Sequence, residues 1–365
     1  MEMVQFHPTG MVWPRKALGT LATEAIRGEG GILLNSKGER FMKNYYPQRM
    51  ELGPRDIVAR ANFNEIVSGR GTKHGGVWLD ITYLPKKKIL ERLPSMYSQF
   101  KKIAGIDISK QRMEVAPTSH YSMGGVKVDD KCKTKVKGLF AVGELSGQVH
   151  GANRLGGNSL LGTIVFGKIA GRQAAIEAIS VREKRAKREF IPSRVSLLSN
   201  RNESKGRVIH KEFFAVKNAI KFRNEIQKLM RDNAGIVRED MKLRRGLKRL
   251  LALKKEFYSK DNIIKNFEID DNFVRTLEVK SALIVSEAIL RSALMREESR
   301  GAHFRSDYPN RNDEKWKVNI FSSREKERRR EKMVLSIKRI KEIRGPLRDL
   351  IKQTQDDQLE HHLLE

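Results

Sequence analysis

Two glycine-dense segments constrain this chain more than any other feature. The first runs Pro-Thr-Ser-His-Tyr-Ser-Met-Gly-Gly over residues 117–125, the second His-Gly-Ala-Asn-Arg-Leu-Gly-Gly-Asn-Ser-Leu-Leu over 150–161. Each places one cationic or potentially cationic side chain, His120 or Arg154, among glycines and small polar residues. Glycine has no Cβ, so loops of this kind let the backbone come close to a flat or anionic ligand. The residues point to a site for a dicarboxylate beside a planar cofactor.

The rest of the chain sets the frame for such a site. At 365 residues it is long enough for two or three domains and a sizeable core. Its net charge of +29 is extreme, and 32% of its residues are charged. Such a surface attracts anions, acidic proteins or, non-specifically, nucleic acid. No aromatic-rich RNA-binding box or zinc-finger spacing accompanies the charge, so the lysines and arginines read as solvation of long helices and no specific nucleic-acid partner is expected. The single cysteine, Cys132, excludes an internal disulfide and a cysteine-based metal cluster, and its polar turn (129–135) suggests an incidental exposed thiol. The first residues lack the pattern of a secretory signal. The longest apolar run, near 160–170, is too short for a membrane span and contains Lys168. A soluble, cytoplasmic chain is the expectation.

Composition divides the chain. Residues 1 to about 113 mix short apolar runs with Gly/Pro turns. The runs at 31–35 and 77–81 read as short strands, and the segments 56–65 and 86–104 as helical. Residues 114 to about 180 are richer in glycine. There Gly-Leu-Phe-Ala-Val-Gly (138–143) reads as a buried strand ending in a tight turn, and Ser159 as the cap of a helix running to Ala175. From Val181 onward the chain is basic. Phe213, Val216 and Ile220 recur at helical spacing, as do Leu243, Leu247 and Leu250, and Phe273, Leu277, Ile284 and Ala288. Three amphipathic helices with a leucine-rich interior are expected. Arg324 to Glu365 alternates charge with leucine, which fits either a helix or a partly disordered tail.

Several polar residues stand beside conformational anchors. His7 precedes a proline in Phe-His-Pro-Thr-Gly (6–10). Thr23, Glu24 and Arg27 bring a hydroxyl, a carboxylate and a guanidinium within five residues, ahead of a glycine turn. Arg55 lies between Pro54 and Asp56 at a helix start. Any one of these would ordinarily be structural; five Gly- or Pro-flanked sites together point to function.

Residues 1 to about 315 resemble the flavoprotein subunit of succinate dehydrogenase and fumarate reductase. The motifs are FHPTG at 6–10, TEAIRGEGGIL at 23–33, ELGPRD at 51–56, PTSHYSMGG at 117–125, GLFAVGE at 138–144, HGANRLGGNSLL at 150–161 and REESRGAHFRSDYP at 296–309. L-Aspartate oxidase shares several of them, but Gly10, Met123 and Gly301-Ala-His303 fit the dehydrogenase/reductase branch better.

The resemblance implies roles. His7, Thr23, His120 and Arg154 would hold the two carboxylates of succinate or fumarate, a dianion suited to separated cationic clamps. Arg55 would be the proton donor, with Glu24 and Arg27 as its relay. Glu144 would contact the ribityl chain of FAD, and Asn158, Ser159 and Leu160 would lie against its isoalloxazine ring, at a helix N-terminus that favours negative charge. No metal site is implied in this chain. Electrons would pass to an iron–sulfur subunit, then through membrane anchor subunits to a quinone at the inner face of the cell membrane.

The family binds the ADP part of FAD with a fold opened by GxGxxG, and no such run occurs here. The expected architecture is therefore α+β: a substrate-capping domain (1–113), an incomplete FAD-binding α/β region (114–180), a three-helix bundle (181–315) and a basic extension (316–365). The chain would act with a separate N-terminal flavoprotein fragment, as a split-gene product, or stand as a truncated gene model or pseudogene product. The readings beside it are an aspartate-oxidase-like enzyme and a non-catalytic basic interaction module.

Overall fold

Apolar and β-branched runs in the first third of the chain pair into one four-stranded sheet in the computed structural model, which describes residues 1–186, 214–259, 261–264, 270–327 and 330–340. Its strands are β1 (Val4–Met11), β2 (Ile32–Leu34), β3 (Val77–Asp80) and β4 (Met113–Ser122), ordered β1-β4-β3-β2. β2 and β4 both run antiparallel to β3, with Leu33 opposite Leu79 and Leu79 opposite Met113. The sheet lies in a unit formed by Gln5–Tyr121, Arg311–Phe321 and Ser336–Glu365, of which the last is described to residue 340.

Between Gln5 and Tyr121 the sheet is accompanied by the α-helices α1 (Glu24–Gly28), α2 (Met42–Tyr45), α3 (Arg55–Glu65), α4 (Lys86–Arg92) and α5 (Pro94–Ile103). In α3, Val58, Ala61, Asn62 and Glu65 share a buried face at helical spacing, while Asp56 in the first turn favours the helix dipole and pairs with Arg60. Ile26, Leu33, Val58, Leu79, Phe100 and Met113 form a shared core, each large side chain contributing about 1.5–3 kcal/mol of burial. Residues 86–104 are two helices rather than one. Pro94 has no N–H to continue the first, so the chain breaks at Leu93 and Pro94 opens the second.

A second unit comprises Met1–Val4, Ser122–Asn310 and Ser322–Leu335. Its longest helix is α6 (Asn158–Ala186), which begins one residue before Ser159 and continues past Ala175. Leu160, Leu161, Ile164, Val165, Ile176 and Ile179 on it are exposed. Two expectations change here. Residues 138–143 are not a buried strand: they carry an isolated bridge, Lys133 to Phe140, and Leu139 is exposed. A strand needs a continuous ladder of backbone partners, and a single bridge does not supply it. Gly143 does form the tight turn, at φ 68°. Cys132 is buried rather than exposed, because a turn at φ 61° folds its thiol toward the Phe166 carbonyl of α6.

The helices α7 (Ala219–Asn233), α8 (Asp240–Phe257) and α9 (Asp271–Met295) pack on one another around Phe222, Ile226, Leu250, Phe257, Leu283 and Leu290. The register differs from the sequence reading at several positions. Ile220 is exposed, Val216 lies in β5 (Ala215–Val216) paired with β7 (Ile263–Ile264), and the buried face of α9 runs through Val279, Leu283 and Leu290 rather than Leu277 and Ile284. Phe213 lies outside the described residues. In α9 apolar residues occupy several faces, so spacing alone could not choose the buried one.

Charge is buried heavily in this unit. β6 (Val237–Arg238) pairs in parallel with β8 (Phe304–Arg305), bringing Arg238 opposite Arg305. Arg296 bonds Glu2 and Glu298, both at 2.8 Å, and Arg300 bonds Glu298 at 2.7 Å. Arg238 donates to the Glu2 carbonyl at 2.7 Å and to Nδ1 of His303 at 2.8 Å, while Arg305 pairs with Asp307.

The C-terminal segment is neither a helix nor an irregular tail as far as Arg339. After α10 (Asp313–Trp316), β9 (Val318–Glu327) and β10 (Arg330–Arg339) form a two-stranded sheet. The strand-forming runs at 318–321 and 333–337 are rich in β-branched, aromatic and other apolar residues, but the charges between them mask the pattern. Residues 341–365 of the expected extension lie outside the described residues.

Candidate substrate and proton-transfer site

Within the sheet unit, the expected residues assemble at the starts of α1 and α3. Pro54 precedes Arg55, the first residue of α3, and Thr23 precedes Glu24, the first residue of α1. The Nε and Nη2 of Arg55 donate to one oxygen of Glu24 at 3.0 and 2.8 Å, and its Nη1 donates to Gln5 at 3.3 Å. The Arg55 side chain is largely covered, whereas Glu24 is 51% exposed, so the pair joins a shielded cation to a carboxylate that water can reach. Thr23 makes no capping hydrogen bond with its side chain, which leaves the hydroxyl uncommitted to its helix.

Arg27 is buried, one turn along α1. Its Nη1 donates to the Glu51 carbonyl, while Nε and Nη2 have no hydrogen-bond partner among the described residues. Burial pushes its guanidinium down from the usual arginine range; Glu24 opposes that shift and Arg55 adds to it, so the three groups sense one another electrostatically.

His7 and His120 come together from β1 and β4, with ring centroids 5.2 Å apart and planes at 69°. His120 thus stands on a strand, and the loop of its motif begins only at Met123. The Thr9 N–H donates to Nδ1 of His7 at 3.3 Å, so that nitrogen is the acceptor and Nε2 carries the proton of the neutral ring. Thr9 also ties this strand to Thr23, because its hydroxyl donates to the neighbouring Ala22 carbonyl at 2.6 Å.

The remaining residues belong to the other unit. Arg154 is buried and donates to the Leu155 carbonyl at 3.1 Å. Ala152 in its loop accepts from the Ala302 N–H at 3.0 Å, and a Cβ on Gly301 would lie 2.5 Å from the same oxygen. Glu144 is exposed and accepts from the Ser122 N–H at 2.9 Å. Its turn packs against α6, whose first turn holds Asn158, Ser159 and Leu160, and Gly143 lies beside Thr163 of that helix. Gly157, at φ 78° with open space where a Cβ would stand, leads into the helix.

Sequence reasoning missed Gln5 on Arg55, Glu51 on Arg27, and Asn62, which donates to the Pro8 carbonyl at 2.9 Å. Gln5 was discoverable: it sits two residues before His7, and alternate strand residues share a face. Glu51 lay within the ELGPRD run (51–56) without being singled out, and Asn62 carried no local signal.

Residues 1–160 match the family described as "FAD binding domain", and residues 223–354 match "Fumarate reductase flavoprotein C-term". The chain is 45% identical over 327 residues to one subunit of the fumarate reductase (CoM/CoB) of Methanothermobacter marburgensis, covering 90% of this chain and 57% of the relative. It is 37% identical over 327 residues to the fumarate reductase flavoprotein subunit of Escherichia coli K12, covering 84% and 52%. Among solved structures, an E. coli quinol fumarate reductase variant superimposes with a TM-score of 0.76 at 33% identity, covering 95% of this chain and 60% of the other. The chain thus spans somewhat more than half the length of the curated relatives it matches.

Proposed function

The chain belongs to the flavoprotein family of succinate dehydrogenases and fumarate reductases, and on that premise we propose that it carries the substrate side of a flavin-dependent interconversion of succinate and fumarate. The observation that carries this reading is the Arg55–Glu24 pair in the same unit as the His7–His120 pair. One set can move a proton, and the other can hold carboxylates.

In this reading His7 donates through Nε2–H to one carboxylate, with His120 and Thr23 beside it, and Arg154 clamps the other bidentately. Holding both ends fixes the central carbons and draws electron density from the double bond of fumarate. Arg55 delivers the proton to the carbon opposite the one that takes hydride. Arginine is a weak acid, with a free pKa above ~12. Glu24 compensates by sitting within hydrogen-bond distance and in contact with water, so the proton can be replaced at once. Arg27, buried and under-bonded, supports the exchange from behind Glu24.

The residues also fit FAD. Exposed Glu144, the open backbone at Gly157 and an uncovered apolar Leu160 at the start of a long helix suit a ribityl chain and a flat ring. A bound flavin would carry the hydride, its reduced form giving it to fumarate and its oxidised form taking it from succinate. We assign 1–113 to substrate capping, 114–180 to flavin binding, 181–315 to a helical domain and 316–365 to a basic extension. The exposed face of α6 supports its being covered by the remainder of the FAD-binding fold, on this polypeptide or on a separate fragment. Electrons would leave toward membrane anchor subunits at the cytoplasmic face by way of an iron–sulfur subunit. No helix among the described residues is long and apolar enough to cross a membrane.

The test is anaerobic absorbance of the flavin-loaded protein. Bleaching by succinate, or reoxidation of reduced flavin by fumarate, is expected. Bound flavin that answers to neither dicarboxylate overturns the reading, and reduction by aspartate alone would replace it with an oxidase.

A further inference from the structure

Asn62 is fully buried in the interior of α3, where asparagine is a poor helix former. Its Nδ2 donates to the carbonyl of Pro8 at 2.9 Å, while its Oδ1 is buried with no hydrogen-bond partner among the described residues. An apolar residue would fill this place without an orphaned oxygen, so the amide stands there for the one bond it makes.

That bond acts on a single peptide plane. The Pro8 carbonyl and the Thr9 N–H belong to the same rigid amide, so pinning the oxygen fixes the direction of the hydrogen. The hydrogen is the one donated to Nδ1 of His7. The Thr9 hydroxyl, 3.4 Å from the same nitrogen, spends its proton on the Ala22 carbonyl. Donation to the carbonyl oxygen also polarises the amide and strengthens its N–H as a donor.

We infer that Asn62 is a positioning residue that sets the tautomer of His7 through the Pro8–Thr9 peptide plane, so that Nε2–H is presented to a substrate carboxylate. The substrate part rests on the role proposed above for His7; the tautomer part does not. Because Arg55 opens the same helix, Asn62 also ties the strand bearing the carboxylate-binding imidazole to the element bearing the proton donor.

The experiment is 15N-histidine NMR of the full chain, with the His7 resonances assigned by His7→Gln, followed by titration with succinate. Long-range coupling patterns in wild type should show His7 neutral with the proton on Nε2. In Asn62→Leu the pattern should shift toward a mixed or Nδ1-protonated ring, with succinate affinity falling about tenfold and His120 keeping its own pattern. An unchanged His7 pattern in folded Asn62→Leu overturns the inference. Should that variant not fold, Asn62→Gln carries the same test, because its amide reaches past the Pro8 oxygen. A wild type with the expected tautomer but no succinate binding would fail the functional reading and leave the tautomer control standing.

Discussion

Two charged clusters, one in each unit of this chain, are held in different ways. In the helical unit Glu2, Arg296, Glu298, Arg238 and His303 are nearly sealed from water and bonded to one another, with only Nη2 of Arg238 left without a hydrogen-bond partner among the described residues. In the sheet unit Arg55 leans on a carboxylate that is half exposed, and Arg27 keeps two donors without partners among the described residues. Buried, mutually satisfied charges fix a structure, because removing any one strands the rest. A charge that must hand over a proton cannot be tied down so completely. On the function proposed above, the contrast separates ionic groups that specify architecture from ionic groups held ready for chemistry.

The sharpest way to break this contrast is Arg55→Ala. Turnover of the loaded protein should drop on the order of 10²–10⁴-fold while succinate affinity and melting temperature barely change; parallel losses in all three would make Arg55 structural. Next in size, Arg296→Leu leaves Glu2 and Glu298 without their shared cation and should cost about 3–5 kcal/mol in denaturant unfolding.

Acid should reach the helical unit first. Burial holds His303 down to about 3, so its neutral form stabilises the fold above its ordinary value of 6.5 and that contribution fades as pH falls from there toward 3. Burial raises Glu2, but the N-terminal ammonium and Arg296 outweigh it and hold the carboxyl to about 2; its contribution is full above 4.5 and lost on the way down. In the sheet unit Glu65 is held to about 2, chiefly by its bonds to Arg70, and its contribution is lost only below 4.5. Hydrogen exchange between pH 6.5 and 4.5 should therefore open α8 and α9 before the β2–β3–β4 sheet. The smallest effect is on stability in Glu24→Gln. A partly exposed pair contributes about 0–1 kcal/mol, so the melt should hardly move while turnover slows.

The residues of the candidate site stood out in the sequence more than the packing around them. Glycines and prolines beside lone charges marked His7, Arg55, His120 and Arg154, because those residues fix backbone geometry that a solvated surface does not need. α3 was readable from its Pro54 entry and its apolar spacing. The break at Leu93 was also written in Pro94, yet the uniform charge of the segment concealed it. β9 and β10 could not be read, since the charged run of the sequence over 324–332 resembles a solvated helix face. The buried ion network was invisible for a different reason: Glu2 and Arg296 are 294 positions apart, and no local pattern joins them. Asn62 is the extreme case, since its meaning lies wholly in the carbonyl it meets.

Helix α6 carries a consequence for the life of the protein in a cell. A row of leucines and isoleucines open to water is the feature by which chaperones and degradative proteases recognise an unfinished chain. On the function proposed above, a segment covering that row would govern turnover of the polypeptide as well as flavin retention. The half-life of this chain, with and without a covering segment co-expressed, would report assembly before any catalytic assay could.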